Sequence, residues 1–175
     1  MFYEPDKRDR NVLRYDAFKA IVAPRPIGWI STVDAQGRVN LAPYSFFNGV
    51  ASRPPLVMFA SEGQKDSVTN IEATGEFVCN LATWDLREAT NETSAPMPHG
   101  ASEMERASLE PAPCRLVRPP RVKAAPWRSN AGSCVSLRST ISPENRAERM
   151  WCSVRWSAST STTASSKMAC STRRR

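Results

Sequence analysis

Residues 24–48 read PRPIGWISTVDAQGRVNLAPYSFFN, and the organisation of the chain follows from this stretch. Its alternation predicts a strand over residues 27–33, with Ile27, Trp29, Ser31 and Val33 on one side and Gly28, Ile30 and Thr32 on the other. Asp34-Ala35-Gln36-Gly37 supplies turn chemistry, with Gly37 able to take positive φ. Val39 and Leu41 resume the apolar alternation, which makes the pair a hairpin. An irregular loop is expected over residues 42–48. It is too polar and too aromatic for a mere connector. Tyr44, Ser45, Phe46, Phe47, Asn48 and the local backbone amides suit the gripping of a flat, hydrogen-bonding ring. Phe46 and Phe47, if extended, face opposite ways, leaving one for the core and one for a ligand.

Upstream, residues 15–21 form a short helical candidate with Asp16 near its start, and Pro24-Arg25-Pro26 holds the entry extended. Downstream, residues 49–52 lead to a break at Arg53-Pro54-Pro55, and residues 56–60 read as a buried strand. A polar loop, residues 61–67, opens a helix with Asp66 or Ser67 as N-cap and Gly75 as its stop. A strand over 76–81, a helix over 85–91, a proline-bearing loop over 94–100, a helical turn over 102–108 and a strand over 115–118 follow. Strands outnumber helices, so a β-barrel with peripheral helices is the economical architecture.

A chain of 175 residues suits one domain with a real core. No apolar run is long enough to span a bilayer, and the charged N-terminus lacks a signal-peptide centre. The expectation is therefore a cytoplasmic protein without a membrane partner. The five cysteines form no CxxC pair and no zinc spacing, which points to reduced thiols and no metal site. The net charge of +7 is unevenly placed: residues 1–126 hold fifteen basic and fifteen acidic side chains, whereas residues 127–175 hold nine and two. With the first part neutral, nucleic-acid binding is not expected.

Residues 61–67 suit an anion, because a helix N-terminus offers unpaired N–H groups and the positive end of a dipole. Lys65 adds a charge and Ser67 a hydroxyl. The alternative is ordinary capping beside a solvated lysine. Ser31 and Thr32 are acceptable strand residues whose alternative is simple surface exposure. His99 is the only histidine and sits between Pro98 and Gly100 on a loop able to cover a pocket. It is the one catalytic candidate; the alternative is a solvated loop residue. GxGxxG, Walker, HExxH and GxSxG patterns are absent, so nicotinamide use would not run through a Rossmann unit.

PRPIGWIST, NLAPYSFFN, RPPLVMF, KDSVTNI and TGEFVCNL, in this order and spacing, resemble the flavin reductase-like family of FMN-binding split-barrel proteins. The likeness covers roughly residues 10–123. It implies a mainly β fold with peripheral helices, a homodimeric split β-barrel holding FMN near the subunit interface, with FAD or riboflavin as related ligands. It implies that Ser31, Thr32, Ala42, Ser45, Phe46, Phe47 and Asn48 meet the flavin together with Lys65, Asp66 and Ser67. The ring is assigned to residues 42–48 and the phosphate mainly to Lys65 and Ser67. Met104 stands where an aromatic is expected in a segment resembling SEFE. The implied activity is hydride transfer from NAD(P)H to flavin, with a monooxygenase as one acceptor. Such chemistry needs no protein nucleophile, since the cofactor carries it and the protein orients it. The alternatives are a non-catalytic flavin-binding or electron-relay protein, or an inactive product.

From Trp127 onward the composition changes: seventeen of forty-nine residues are Ser or Thr, none is Asp, Phe or Tyr, and three of the five Trp occur here. The division expected is a barrel domain over 1–126, left incomplete, and an aberrant, disordered tail over 127–175 outside the fold. A nucleic-acid or acidic-lipid arm is the other reading of such a tail. We prefer a shifted reading frame. Shifted by one base, serine TCN codons become Phe, Leu, Ile or Val, threonine becomes Tyr, His, Asn or Asp, and tryptophan becomes Leu, Met or Val. Trp156-Ser157-Ala158-Ser159-Thr160-Ser161-Thr162-Thr163 then regains strand alternation. One base lost near Pro126–Trp127 accounts for the pattern. An open barrel edge would follow, and the chain as written is then expected to be poorly soluble or to lose flavin.

Overall fold

Pairing along the hairpin sets the register of the whole sheet. In the computed structural model, residues 7–53, 55–126, 128–139 and 149–157 are described. Helix α1 (Ala17–Ile21) is capped by Asp16, whose carboxylate accepts the N–H groups of Phe18 and Lys19. Strand β1 (Gly28–Val33) pairs antiparallel with β2 (Val39–Tyr44), from Gly28 opposite Tyr44 to Val33 opposite Val39. The turn between them holds Gly37 at φ 84°. The expected loop over 42–48 is mostly strand: β2 runs to Tyr44 and β3 (Phe47–Ser52) begins three residues later. Ala42 and Pro43 face Ile30 and Trp29 across the ladder, and backbone pairing, which side-chain polarity does not forbid, extends the strands into this polar stretch.

Strand β4 (Pro55–Glu62), helix α2 (Asp66–Thr74) and strand β5 (Glu76–Leu81) follow. Gly75 ends α2 in the left-handed region at φ 71° and donates its N–H to Ile71 O at 2.7 Å. A single 3-10 turn at Trp84–Leu86 leads into α3 (Arg87–Glu92), and α4 (Glu103–Arg106) is capped by Ser102. Residues 115–118, expected as a strand, are a bend instead; the short pair β6 (Pro111–Ala112) and β7 (Arg121–Val122) lies on either side of them. Pro119 and Pro120 supply no N–H to a ladder, which leaves the run before them without a partner strand.

The main sheet has seven strands in the order β2-β1-β5-β8-β9-β4-β3, with β8 (Arg128–Ser139) and β9 (Arg149–Ser157) bridging β5 and β4. The segment expected to stand outside the fold thus contributes two strands of backbone, and the edge expected to be open is filled. Main-chain pairing asks only for N–H and C=O groups, and neither strand contains proline. Residues 140–148 and 158–175 of that segment lie outside the described residues. The sheet curls until Ala60 N–H donates to Phe46 O at 2.8 Å, bringing β4 beside the β2–β3 turn.

Strand β1 is buried on both faces, so its alternation separates two cores rather than inside from outside. Ile30 joins Tyr44, Phe59, Phe77 and Cys79 of the sheet with Val68 and Ile71 of α2. Trp29 joins Leu41, Met104, Val122 and Ala125 on the other face. Each fully buried large apolar side chain contributes about 1.5–3 kcal/mol. Met104, where an aromatic was expected, is buried in this second cluster. Among the described residues no helix is long and apolar enough to cross a membrane, and Cys79 is a buried free thiol.

Candidate functional site

The start of α2 forms the floor of a cavity of about 440 Å³, lined by Asn40, Ala42, Tyr44, Lys65, Ser67 and Glu103 among others. That volume lies within the roughly 300–1,000 Å³ of small-molecule sites. The N-cap of α2 is Lys65, one residue before the position expected, and no side chain caps the helix. The reason is visible in the partners. Asp66 Oδ1 lies 2.8 Å from His99 Nδ1, and Ser67 Oγ accepts Asn40 Nδ2 at 2.7 Å. Both candidate caps are engaged elsewhere, so the positive end of the helix dipole faces the cavity. Lys65 Nζ lies 5.9 Å from the Tyr44 ring centre, which holds the ammonium at the same end.

Beneath the cavity, Thr32 Oγ1 accepts Asn70 Nδ2 at 3.0 Å and Asn40 Nδ2 at 3.5 Å. The buried Asn70 Oδ1 has no hydrogen-bond partner among the described residues. Ser31 Oγ donates to Pro120 O at 2.5 Å, and Asn80 Nδ2 approaches Ser31 Oγ at 3.4 Å. Ser31 and Thr32 are thus fully buried, not surface residues, and line neither this cavity nor the next. Thr32 reaches the cavity through Asn40.

Eight of the ten residues singled out in the sequence divide between two places, and Ser31 and Thr32 line neither. Ala42, Lys65, Asp66 and Ser67 line the first cavity. Ser45, Phe46, Phe47 and Asn48 line a second, of about 220 Å³, with Arg25 and Met58. The Phe46 ring stands 6.3 Å from that of Phe18 and 5.7 Å from the Arg25 guanidinium carbon. Phe47 packs on the core that holds Ile30 and Phe59. Tyr44 and Ser45, adjacent in sequence, belong to the first and second cavity respectively.

His99 is not a solvated loop residue without partners. Its Nε2 lies 3.4 Å from Arg38 Nη2, a group that can only donate. The neutral ring that suits both neighbours carries its proton on Nδ1 and gives it to Asp66. Arg38 is itself paired with Asp34. The loop whose residues 93–97 line the first cavity is therefore pinned to α2 at His99, and His99 does not line that cavity.

Sequence reasoning missed Asn40, residues 93–97 and Glu103. Glu103 lies in the SEFE-like segment, and its Oε2 accepts Leu41 N–H at 3.1 Å. Burial pushes its carboxyl above the usual range; its own N–H and that of Leu41 draw it back, and the nearby Asp66 raises it again. Asn40 carried a usable signal, a polar residue between Val39 and Leu41 on a strand buried at its centre.

Residues 22–131 match the family described as flavin reductase like domain. The chain belongs to this family. The flavin reductase-like chain is 38% identical over 116 residues to an Aquifex aeolicus protein, which covers 63% of this chain and 59% of the relative. It spans less than two thirds of the length of the curated relatives it matches. Among solved structures it is similar to nitrilotriacetate monooxygenase component B from Bacillus cereus. There the TM-score is 0.78 at 28% identity, over 89% of this chain and 78% of the other. It is also similar to the Pseudomonas fluorescens 2-nitrobenzoate 2-nitroreductase NbaA, with a TM-score of 0.73 at 25% identity, over 90% and 75%. The fold is the split β-barrel of the flavin reductases.

Proposed function

We propose that this flavin reductase-like chain binds FMN and serves as an NAD(P)H:flavin oxidoreductase. The observation that carries the reading is the first cavity, where an uncapped helix start with Lys65 and Ser67 opens beside Ala42, Pro43 and Tyr44. A phosphate suits the first group and a planar ring the second. The orphaned Asn70 Oδ1 behind Thr32 and Asn40 marks a polar network not completed by protein atoms among the described residues. FAD and riboflavin present the same ring; the phosphate grip is what would favour FMN over riboflavin. Bound flavin would supply a two-electron hydride acceptor.

The protein's own work is then positional. Lys65 and the first turn of α2 hold the anion, Asn40 fixes the Ser67 hydroxyl, and residues 93–97 exclude water from one side. Ser45, Phe46, Phe47 and Asn48, which line the second cavity, would add ring contacts from there. Ser31 and Thr32 support the site from below, Asp66 holds the loop through His99, and His99 acts as a latch rather than an acid. A second copy of the chain would complete the site: Phe18, Ile21, Val22, Ile27 and Val50 are all exposed apolar side chains. One neighbour is named as a monooxygenase component and another as a nitroreductase, so the reduced flavin would pass to a partner enzyme or to a small organic acceptor. A cytoplasmic setting suits the nicotinamide donor.

The test is the full-length chain mixed with NADH or NADPH and excess FMN. Nicotinamide oxidation that depends on both protein and flavin is expected. Flavin binding without turnover would favour a relay protein, and absence of flavin binding would overturn the proposal.

A further inference from the structure

The first cavity holds one cation, Lys65, and two carboxyl groups, Asp66 and Glu103. A site meant for a phosphate would not ordinarily carry a surplus of acid. Glu103 is the first residue of α4, only 8% exposed, and tied to β2 by Leu41 N–H. Desolvation already favours its neutral form, and Asp66 acts in the same direction.

We propose that Glu103 couples anion binding to proton uptake, so that a phosphate-bearing ligand enters this cavity more readily when the Glu103 carboxyl is protonated. The inference rests on the flavin reading above and adds the chemistry by which the site tolerates its ligand's charge. A phosphate at Lys65 and Ser67 places further negative charge in a cavity that Glu103 shares. Its carboxylate form is disfavoured by that charge, and a proton moves from solvent to a Glu103 Oε atom. No other bond changes.

Lys65 and Asp66 come from the start of α2, and Asp66 is engaged by His99. Glu105 and Arg106 share α4, and Arg106 is drawn 3.5 Å from Glu92 of α3. Arg38, near the β1–β2 turn, is occupied by Asp34. Arg38 and Arg106 are thus paired away from Glu103, and the donors to its carboxyl are neutral backbone amides, its own and that of Leu41.

The sign follows from linkage. Where the ligand raises the Glu103 pKa, binding takes up protons and affinity falls as pH rises, by up to about tenfold per pH unit for one full proton. Below the free-state value both forms are protonated and the dependence vanishes. The experiment is calorimetric titration of the full chain with FMN, in buffers of different ionisation enthalpy, between about pH 5 and 8. The phosphate of FMN titrates near pH 6 on its own, so the comparison is with Glu103→Gln and with riboflavin, which lacks the phosphate.

Wild type is expected to take up more protons with FMN than Glu103→Gln does, and riboflavin none in either protein. Equal uptake in wild type and Glu103→Gln would overturn the inference while leaving the flavin reading intact. Failure of wild type to bind either flavin would overturn both. Should Glu103→Gln not fold, wild type alone decides: FMN uptake beyond the phosphate's own ionisation supports the inference, and uptake no greater than that overturns it.

Discussion

Gly28→Ala is the sharpest perturbation the fold offers. A Cβ at Gly28 would lie 2.5 Å from Phe47 Cδ2, 2.7 Å from its Cγ and 3.2 Å from its Cβ. The near end of the side chain is involved as well as the ring edge, so rotating the ring does not relieve the clash. Phe47 cannot simply retreat, because it packs on the core cluster and sits opposite Phe59 in the β3–β4 register. Gly28 is not among the glycines at positive φ, so alanine meets no backbone penalty there. The cost is overpacking, about 1–3 kcal/mol, offset by about 0.4–1 kcal/mol from the stiffer unfolded chain. A net loss of about 1–2 kcal/mol lowers the melting temperature by roughly 2–8 °C for a chain of this size. Urea unfolding measures the loss directly. The decisive control is the double variant: on a Phe47→Ala background, which keeps only the 3.2 Å contact to Cβ, Gly28→Ala should cost much less, giving a coupling near 1 kcal/mol. An unchanged midpoint for Gly28→Ala, or the same loss on both backgrounds, refutes the argument.

Asn80→Ala removes Nδ2 from Trp29 O at 3.1 Å and Oδ1 from Val122 N–H at 2.8 Å; both backbone groups are buried, so a loss of about 2–4 kcal/mol in urea unfolding is expected. The Cys79 thiol, pushed far up by burial, should not react with an aromatic disulfide until the chain is unfolded. Asp34 and Glu103 give stability opposite slopes. Burial raises Asp34, but the N–H groups of Arg38 and Gln36 and the Arg38 guanidinium hold it below 3.8, so its contribution is lost as pH falls through the folded value. Glu103 is raised above 4.5, so its contribution is present below that value and lost as pH rises through the folded one; Glu103→Gln should remove the fall in stability that begins as pH rises past 4.5 and leave the region below it unchanged. The nucleotide sequence around Pro126–Trp127 should show an open frame, shifted by one base, that encodes apolar alternation, and stops in that frame would end the proposal.

Much of the sheet was legible because its signals are local. The alternation over 27–33, the Gly37 turn and the Gly75 stop each depend on residues within a few positions, and all three stand in the structure. The site was legible only in pieces. Lys65 and Ser67 could be read as an anion site because helix starts have a fixed chemistry, yet the cap moved to Lys65 once His99 and Asn40 took Asp66 and Ser67. Those partners are distant in sequence, 33 residues for His99 and 27 for Asn40. Glu103 escaped for the same reason: a carboxyl in a four-residue helix announces nothing until Leu41, 62 residues away, supplies its donor. The sequence left Ser31 and Thr32 between flavin contact and surface exposure; their full burial was not legible because strand patterning assumes one wet face, and β1 has none.

The last two long strands make a separate point about what specifies a barrel. The family match ends at residue 131, whereas likeness to the Bacillus cereus structure extends over 89% of the chain. Backbone similarity therefore extends beyond the stretch that the family match covers. The ladders explain how: β5 presents residues 76–80 to β8, and β4 presents residues 56–62 to β9. Two strands already fixed by their own cores offer rows of donors and acceptors, and unpaired edges of that kind accept any chain lacking proline. Register is another matter. Where one face must be buried, a slip of one residue exchanges faces, and apolar alternation is what forbids it. The Ser- and Thr-rich segment as written supplies little such alternation. A chain with the frame restored would hold the same ladders with a defined inner face. Its expected advantage is therefore in unfolding free energy and cooperativity rather than in strand order, with sharper urea transitions and the same far-ultraviolet spectrum. Identical transitions for the two chains would show that main-chain pairing alone closes this barrel.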